Sequence, residues 1–140
     1  MNVLMLLSPK SEVKYLTDTY SLRQGLEIMR AYGYTALPVI DKNGKYVGAV
    51  SEGDFLWHIL DSGTESNVIK ACEDLRIEKI IRADLAPAVN VNVDMESLVD
   101  QAMRQNFVPV VDDRGTFIGI VTRQSIIRML RKTKQAGGMI

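Results

Sequence analysis

One pattern occurs twice in this chain, and the repetition narrows the possible folds more than any other feature. Leu37-Pro38-Val39-Ile40-Asp41-Lys42-Asn43-Gly44-Lys45-Tyr46-Val47-Gly48-Ala49-Val50-Ser51 aligns without a gap on Val108-Pro109-Val110-Val111-Asp112-Asp113-Arg114-Gly115-Thr116-Phe117-Ile118-Gly119-Ile120-Val121-Thr122, at a constant offset of 71. Upstream, Val13-Lys14-Tyr15-Leu16-Thr17-Asp18 aligns on Val89-Asn90-Val91-Asn92-Val93-Asp94 at an offset of 76, which makes the second copy five residues shorter between its Asp and its Pro. A chain of 140 residues built this way is two copies of one supersecondary unit.

Each copy reads alike. Val13, Tyr15 and Thr17, like Val89, Val91 and Val93, alternate as a strand does. Asp18 and Asp94 stand where a helix N-cap belongs. Helical spacing follows in Leu22, Leu26 and Met29, and in Leu98, Ala102 and Met103. The apolar runs 36–40 and 46–50, and 107–111 and 116–121, flank turns containing Gly44 and Gly115, a hairpin signal. A closing helix follows Ser51 or Thr122. The unit is β-α-β-β-α, so the fold class is mixed α/β (α+β), with copies at 1–60 and 77–131 joined by a linker over 61–76. Within and beyond that linker, Val68–Arg82 has helical spacing, with Cys72 read either as a small apolar core residue or as a reactive thiol. The stretch 132–140 reads as a frayed basic tail.

Composition excludes several functions. A single cysteine cannot form an intrachain disulfide, and one histidine cannot build a zinc site of Cys/His type. The opening apolar run Val3–Leu7 is too short for a membrane span or a signal-peptide core, and no later stretch reaches membrane length. These features point to a soluble cytoplasmic protein. Net charge is zero, but it is unevenly laid out. All 17 acids lie at or before Asp113, whereas six bases (Arg114, Arg123, Arg128, Arg131, Lys132 and Lys134) follow it. The basic tail lacks interleaved aromatics, so nucleic acid is not an expected partner.

A tandem β-α-β-β-α unit with x-Pro-Val-[Val/Ile]-Asp, a Gly turn and Gly-x-Val-[Ser/Thr]-x-x-[Asp/Ser] resembles the CBS domain, named after cystathionine β-synthase. The resemblance runs over about residues 1–131, and among such proteins the chain looks most like small stand-alone pairs of Gram-positive bacteria, through Leu7-Ser8-Pro9-Lys10 and Asn106-Phe107-Val108-Pro109-Val110. It implies two units packed with pseudo-twofold symmetry, clefts that hold AMP, ADP, ATP or cyclic di-AMP, a homodimer, and an unidentified regulated protein that reads the bound state. It implies no required cofactor, no metal and no catalysis.

A nucleoside phosphate needs a flat slot for its base, acceptors for its ribose diol, and hydroxyls, N–H groups or cations for its phosphate. Carried over by position, Asp54 accepts the ribose hydroxyls and Ser51 faces the phosphate at a helix start, where the dipole favours anions. Thr17 and Thr35-Ala36-Leu37-Pro38 line the base slot. Ser51-x-x-Asp54 is equally a capping box, and the two roles are compatible. Copy two keeps a hydroxyl at Thr122 but has Ser125 in place of the acid, while gaining Arg123 and Arg128. One ribose-gripping site and one degenerate or phosphate-biased site are therefore expected. His58, four residues past Asp54, is either a ligand contact or a packing histidine. The closing helices carry Phe55, Leu56, Trp57, Ile59 and Leu60, and Ile126, Ile127, Met129 and Leu130, too many apolar residues for one buried face. Self-association or internal burial would each account for them. The leading expectation is a non-catalytic nucleotide sensor; the alternative is a structural dimerisation module with non-binding clefts.

Overall fold

The computed structural model describes residues 2–62 and 68–136. Its elements, in chain order, are β1 (Ser8–Pro9), β2 (Leu16–Thr17), α1 (Leu22–Tyr32), β3 (Ala36–Ile40), β4 (Tyr46–Ser51), α2 (Glu52–Ser62), α3 (Val68–Asp74), β5 (Val89–Asn90), α4 (Met95–Arg104), β6 (Phe107–Val111), β7 (Phe117–Thr122) and α5 (Arg123–Ala136). Short 3-10 turns occupy Val3–Met5, Lys10–Glu12 and Ile77–Lys79.

The mixed α/β class and the doubled unit are both present. In one sheet β2 runs parallel to β3, and β3 antiparallel to β4, with Ala36 opposite Ser51 and Val39 opposite Gly48. In the other, β5 runs parallel to β6, and β6 antiparallel to β7, with Phe107 opposite Thr122 and Val110 opposite Gly119. Even the break in register recurs, between Val39 and Ile40 and between Val110 and Val111. Both hairpin turns close alike. Asp41 Oδ1 accepts the N–H groups of Asn43 and Lys45, and Asp112 Oδ1 those of Arg114 and Thr116. Those N–H groups, Thr116's foremost, hold the Asp112 carboxyl below the usual carboxylate range.

Contacts divide the chain differently from the repeat. One compact unit is Lys14–Leu85; the other joins Met1–Val13 to Ala86–Ile140. The reason is an exchange of edges. The segment before copy one, β1, pairs antiparallel with β7 of copy two, with Ser8 opposite Ile120 and Pro9 opposite Gly119. The segment before copy two returns the arrangement, since Arg82 and Ala49 bond each other's N–H and C=O at 2.9 and 3.1 Å. Each unit has its own core. In Lys14–Leu85 it includes Leu16, Leu22, Leu37, Val50, Phe55 and Ile77; in the other unit Val3, Leu98, Val108, Val110 and Val121.

Several local expectations are corrected. The N-cap of α1 is Ser21, not Asp18: Ser21 Oγ accepts from Gln24 N–H while Gln24 Oε1 accepts from Ser21 N–H, a reciprocal box worth about 1 kcal/mol. Asp94 does cap α4. Ser21 and Asp94 differ by 73 positions, as do the Leu16 and Val89 that pair with Val39 and Val110, so the true offset is 73 and copy two is shorter by two residues. The first strand also has the opposite parity, because Leu16 is the buried residue and Tyr15 and Thr17 flank it. Met103 points to solvent, leaving Leu98 and Ala102 to bury α4. The helix expected over Val68–Arg82 stops at Asp74, because main-chain partners outside the helix take over: Leu22 N–H donates to Leu75 O, and Ile77 N–H to Tyr20 O. Cys72 is half-buried on α3, at the wall of a groove with Arg23 and Arg30. Helix α5 continues to Ala136, past Lys132 where the frayed tail was expected; residues 137–140, like linker residues 63–67, lie outside the described residues.

The exchanged edges depend on two glycines. Gly48 (φ 147°) and Gly119 (φ 155°) have backbone conformations that side chains rarely adopt. A Cβ on Gly48 would stand 2.9 Å from Arg82 O, and one on Gly119 would overlap Ser8 O. Gly115 (φ 81°) is strained in φ alone, with open space around it. Urea unfolding should therefore separate them: Gly115→Ala is expected to cost roughly 1 kcal/mol and Gly119→Ala at least roughly 3 kcal/mol. Equal costs would mean that β1 is not held against β7.

Candidate functional site

Helix α2 starts at the end of β4, and the turn between them gathers polar groups. Asp54 Oδ2 accepts from Ser51 N–H at 2.8 Å and from Ser51 Oγ–H at 3.0 Å, while Ser51 Oγ lies 3.3 Å from Asp54 N–H. The capping box anticipated as one reading of this motif is thus formed. It leaves Oδ1 turned toward Arg82, whose guanidinium approaches to 3.4 Å. The Asp54 side chain is 15% exposed and that of Arg82 46%. Asp84 lies on the far side of Arg82 at 3.5 Å. The Asp54 bond, ahead of the Coulombic attraction of Asp54 and Asp84, raises the pKa of Arg82, so the guanidinium is charged under all ordinary conditions.

The neighbours of this turn come from β3. Ala36 faces Ser51 across the ladder and Pro38 faces Ala49, while Thr35 O accepts the N–H of Glu52 at 3.0 Å. Pro38 is itself buried, and Thr35, Ala36, Ser51 and Asp54 are therefore brought together. Leu37 is not, since its side chain is 2% exposed and belongs to the core; a strand puts successive side chains on opposite faces. Thr17 stands beside Ile40, at the other end of β3 from Ala36. His58, one turn beyond Asp54 on α2, is half-buried, and its Nε2 is sealed from solvent with no hydrogen-bond partner among the described residues.

The start of α5 repeats the cap with hydroxyls alone. Ser125 N–H donates to Thr122 Oγ1 at 3.2 Å, and the two hydroxyls lie 3.0 Å apart. Arg123 turns away from them, donating to Gln105 O and Asn106 Oδ1 at 3.3 and 3.2 Å. The carbonyl and amide at the approach to β6 offer it acceptors that a hydroxyl pair engaged in capping does not. Arg128 does share a cavity with Ser125. That cavity, of about 200 Å³, is lined by Met5, Leu6, Leu7, Ser8, Ser125, Arg128, Met129 and Lys132. Arg82 and Ser8 are the two site residues that motif reading missed. Both lie near the start of their copies, outside the aligned segments 13–18, 37–51, 89–94 and 108–122.

Among the described residues no group of three or more His, Cys, Asp or Glu side chains could hold a metal ion, and no helix is long and apolar enough to cross a membrane. The closing helices leave apolar residues uncovered: Leu56, Trp57 and Leu60 on α2 are 57%, 68% and 60% exposed, and Ile127 and Leu130 on α5 are exposed as well. Internal burial accounts for Phe55 and Ile126 but not for these five.

Comparison with known proteins bears on all of this. The family described as CBS domain matches residues 6–61 and 77–132. Cyclic di-AMP receptor B of Bacillus subtilis is 25% identical over 112 residues, covering 80% of this chain and 74% of that protein. The crystal structure of CbpB from Listeria monocytogenes in complex with c-di-AMP superposes with a TM-score of 0.79 at 25% identity, over 93% of this chain and 95% of that one. That of CBSX2 in complex with AMP gives 0.72 at 25% identity, over 95% and 98%. The chain spans 49% to 64% of the length of other curated relatives that it matches.

The cap and the charge at Asp54 can be separated. Asp54→Ala is expected to destabilise the protein by about 1 kcal/mol in urea unfolding, through loss of the box at the start of α2. Asp54→Asn, which keeps an acceptor oxygen, should cost clearly less. If the two variants unfold alike, Asp54 is not a cap.

Proposed function

Because the chain belongs to the CBS domain family, we propose that it is a non-catalytic regulatory module that binds an adenine nucleotide and passes the bound state to a partner protein. One observation carries the reading: a nearly buried carboxylate, Asp54, sits at a helix start beside the Ser51 hydroxyl, with the Ala36–Pro38 strand edge next to it. Together they supply what a ribose diol, a phosphate and a base each require. The relatives named for binding c-di-AMP or AMP support an adenine ligand. The cavity with Ser8, Ser125, Arg128 and Lys132 has hydroxyls and cations but no acid, and by itself suits a phosphate group. The ligand acts by its difference in affinity between two conformations, so whatever reads the signal must distinguish them too.

A second reading, a structural dimerisation module whose helix starts are merely capped, draws support from the closed Ser51–Asp54 box and from the loss of the acid at Ser125. Isothermal titration of ligand-stripped protein with AMP, ATP and cyclic di-AMP decides between them. The sensor reading expects saturable binding to the wild type, weakened in Asp54→Asn by about tenfold for loss of a charged acceptor. The structural reading expects no heat from any of the three.

The uncovered residues on α2 and α5 fit a homodimer under either reading. Sedimentation equilibrium is expected to give a dimer for the wild type and a monomer for Trp57→Lys combined with Leu60→Lys. A wild-type monomer at micromolar concentration would end the dimer proposal.

A further inference from the structure

The two units share a backbone plan but differ in chemistry at one pair of facing positions. In Lys14–Leu85, Arg82 is pinned by its main chain to Ala49 and sends its guanidinium to Asp54. In the other unit, Ser8 pairs with Ile120, the repeat counterpart of Ala49, and Ser125 is the counterpart of Asp54. Ser8 and Ser125 line one cavity together. A cation facing an anion in one unit is thus two hydroxyls in the other. Both partners differ together, which is what a pair acting as one device requires. Either change alone would strand a charge.

The device lies in the path of a diol. Asp54 Oδ2 already accepts two hydrogen bonds from Ser51, and a carboxylate oxygen has about two lone pairs to offer. A vicinal diol must therefore come to Oδ1, the oxygen that Arg82 holds. Resting on the nucleotide-binding reading above, we propose that Arg82 is the specificity-determining residue of the Asp54 site. It yields Oδ1 to the diol and redirects its charge to an anionic group of the same ligand, so that nucleotides bind more tightly than nucleosides. A neutral nucleoside displaces the guanidinium and returns nothing to it. A nucleotide exchanges one anionic partner for another. The Arg82 main chain stays bonded to Ala49 throughout, so only the side chain moves, and its half exposure leaves it room to do so.

The test compares AMP with adenosine by isothermal titration of ligand-stripped protein, in an Arg128→Gln, Lys132→Gln background that strips the other cavity of its cations. Arg82→Gln is expected to reduce the preference for AMP over adenosine by about tenfold, the usual worth of one charge-assisted hydrogen bond, without weakening adenosine. Arg82→Lys should keep most of the preference, and far-UV circular dichroism should show every variant folded under the titration conditions. Equal weakening of both ligands in Arg82→Gln, or an unchanged preference, overturns this role for Arg82 while leaving nucleotide binding intact. Absence of binding by either ligand to the protein with Arg82 intact overturns the role and the binding reading together.

Discussion

The structure depends on two places where main chain meets main chain at a distance no side chain permits. At Gly48 the strand β4 admits the carbonyl of Arg82, and at Gly119 the strand β7 admits that of Ser8. These approaches let a segment lying ahead of each copy close the sheet edge of the other. An edge left open exposes unpaired N–H and C=O groups and invites pairing with other chains. Here the covering strands come from the same polypeptide, and the exchange is why the contact units begin and end away from the repeat boundaries.

The same approaches position the chemistry. Arg82 reaches Asp54 because its main chain is fixed to Ala49, three positions before the start of α2, and Ser8 shares a cavity with Ser125 for the corresponding reason. The helix starts themselves are held by side chains that could equally serve a ligand. Ser51 and Asp54 satisfy each other, as do Thr122 and Ser125. The cap keeps Asp54 oriented, with Oδ2 turned to Ser51 and Oδ1 to Arg82. Rigid, preoriented acceptors lose little freedom on binding, which favours affinity.

What the sequence discloses follows from how local each determinant is. The hairpins were legible because an Asp that receives two N–H groups and a Gly with positive φ must recur at fixed spacing in both copies. The Ser51–Asp54 and Thr122–Ser125 pairs were legible for the same reason, three residues being one helical turn. The start of α1 was misplaced because Asp18 and Ser21 are both good caps in isolation. Only the hydrogen bond back from Gln24 selects Ser21, and with it the offset of 73. The end of α3 could not be read at all, since it is set by Tyr20 and Leu22, more than fifty residues away, bonding the chain near Leu75. Arg82 fell inside that supposed helix, and its role was hidden with it.

Charge completes the argument. The chain is neutral overall but its last 27 residues carry only positive side chains. In the unit Lys14–Leu85, the acid at the helix start faces a cation, Arg82, whose main chain is bridged to Ala49. In the other unit the acid is absent, so the cations near Ser125, at Arg128 and Lys132, have no acidic side chain among their cavity neighbours. One helix start thus carries a neutralised pair and the other a net positive cavity. The two copies therefore differ in charge at the same place in the repeated unit, and an exact duplication would not.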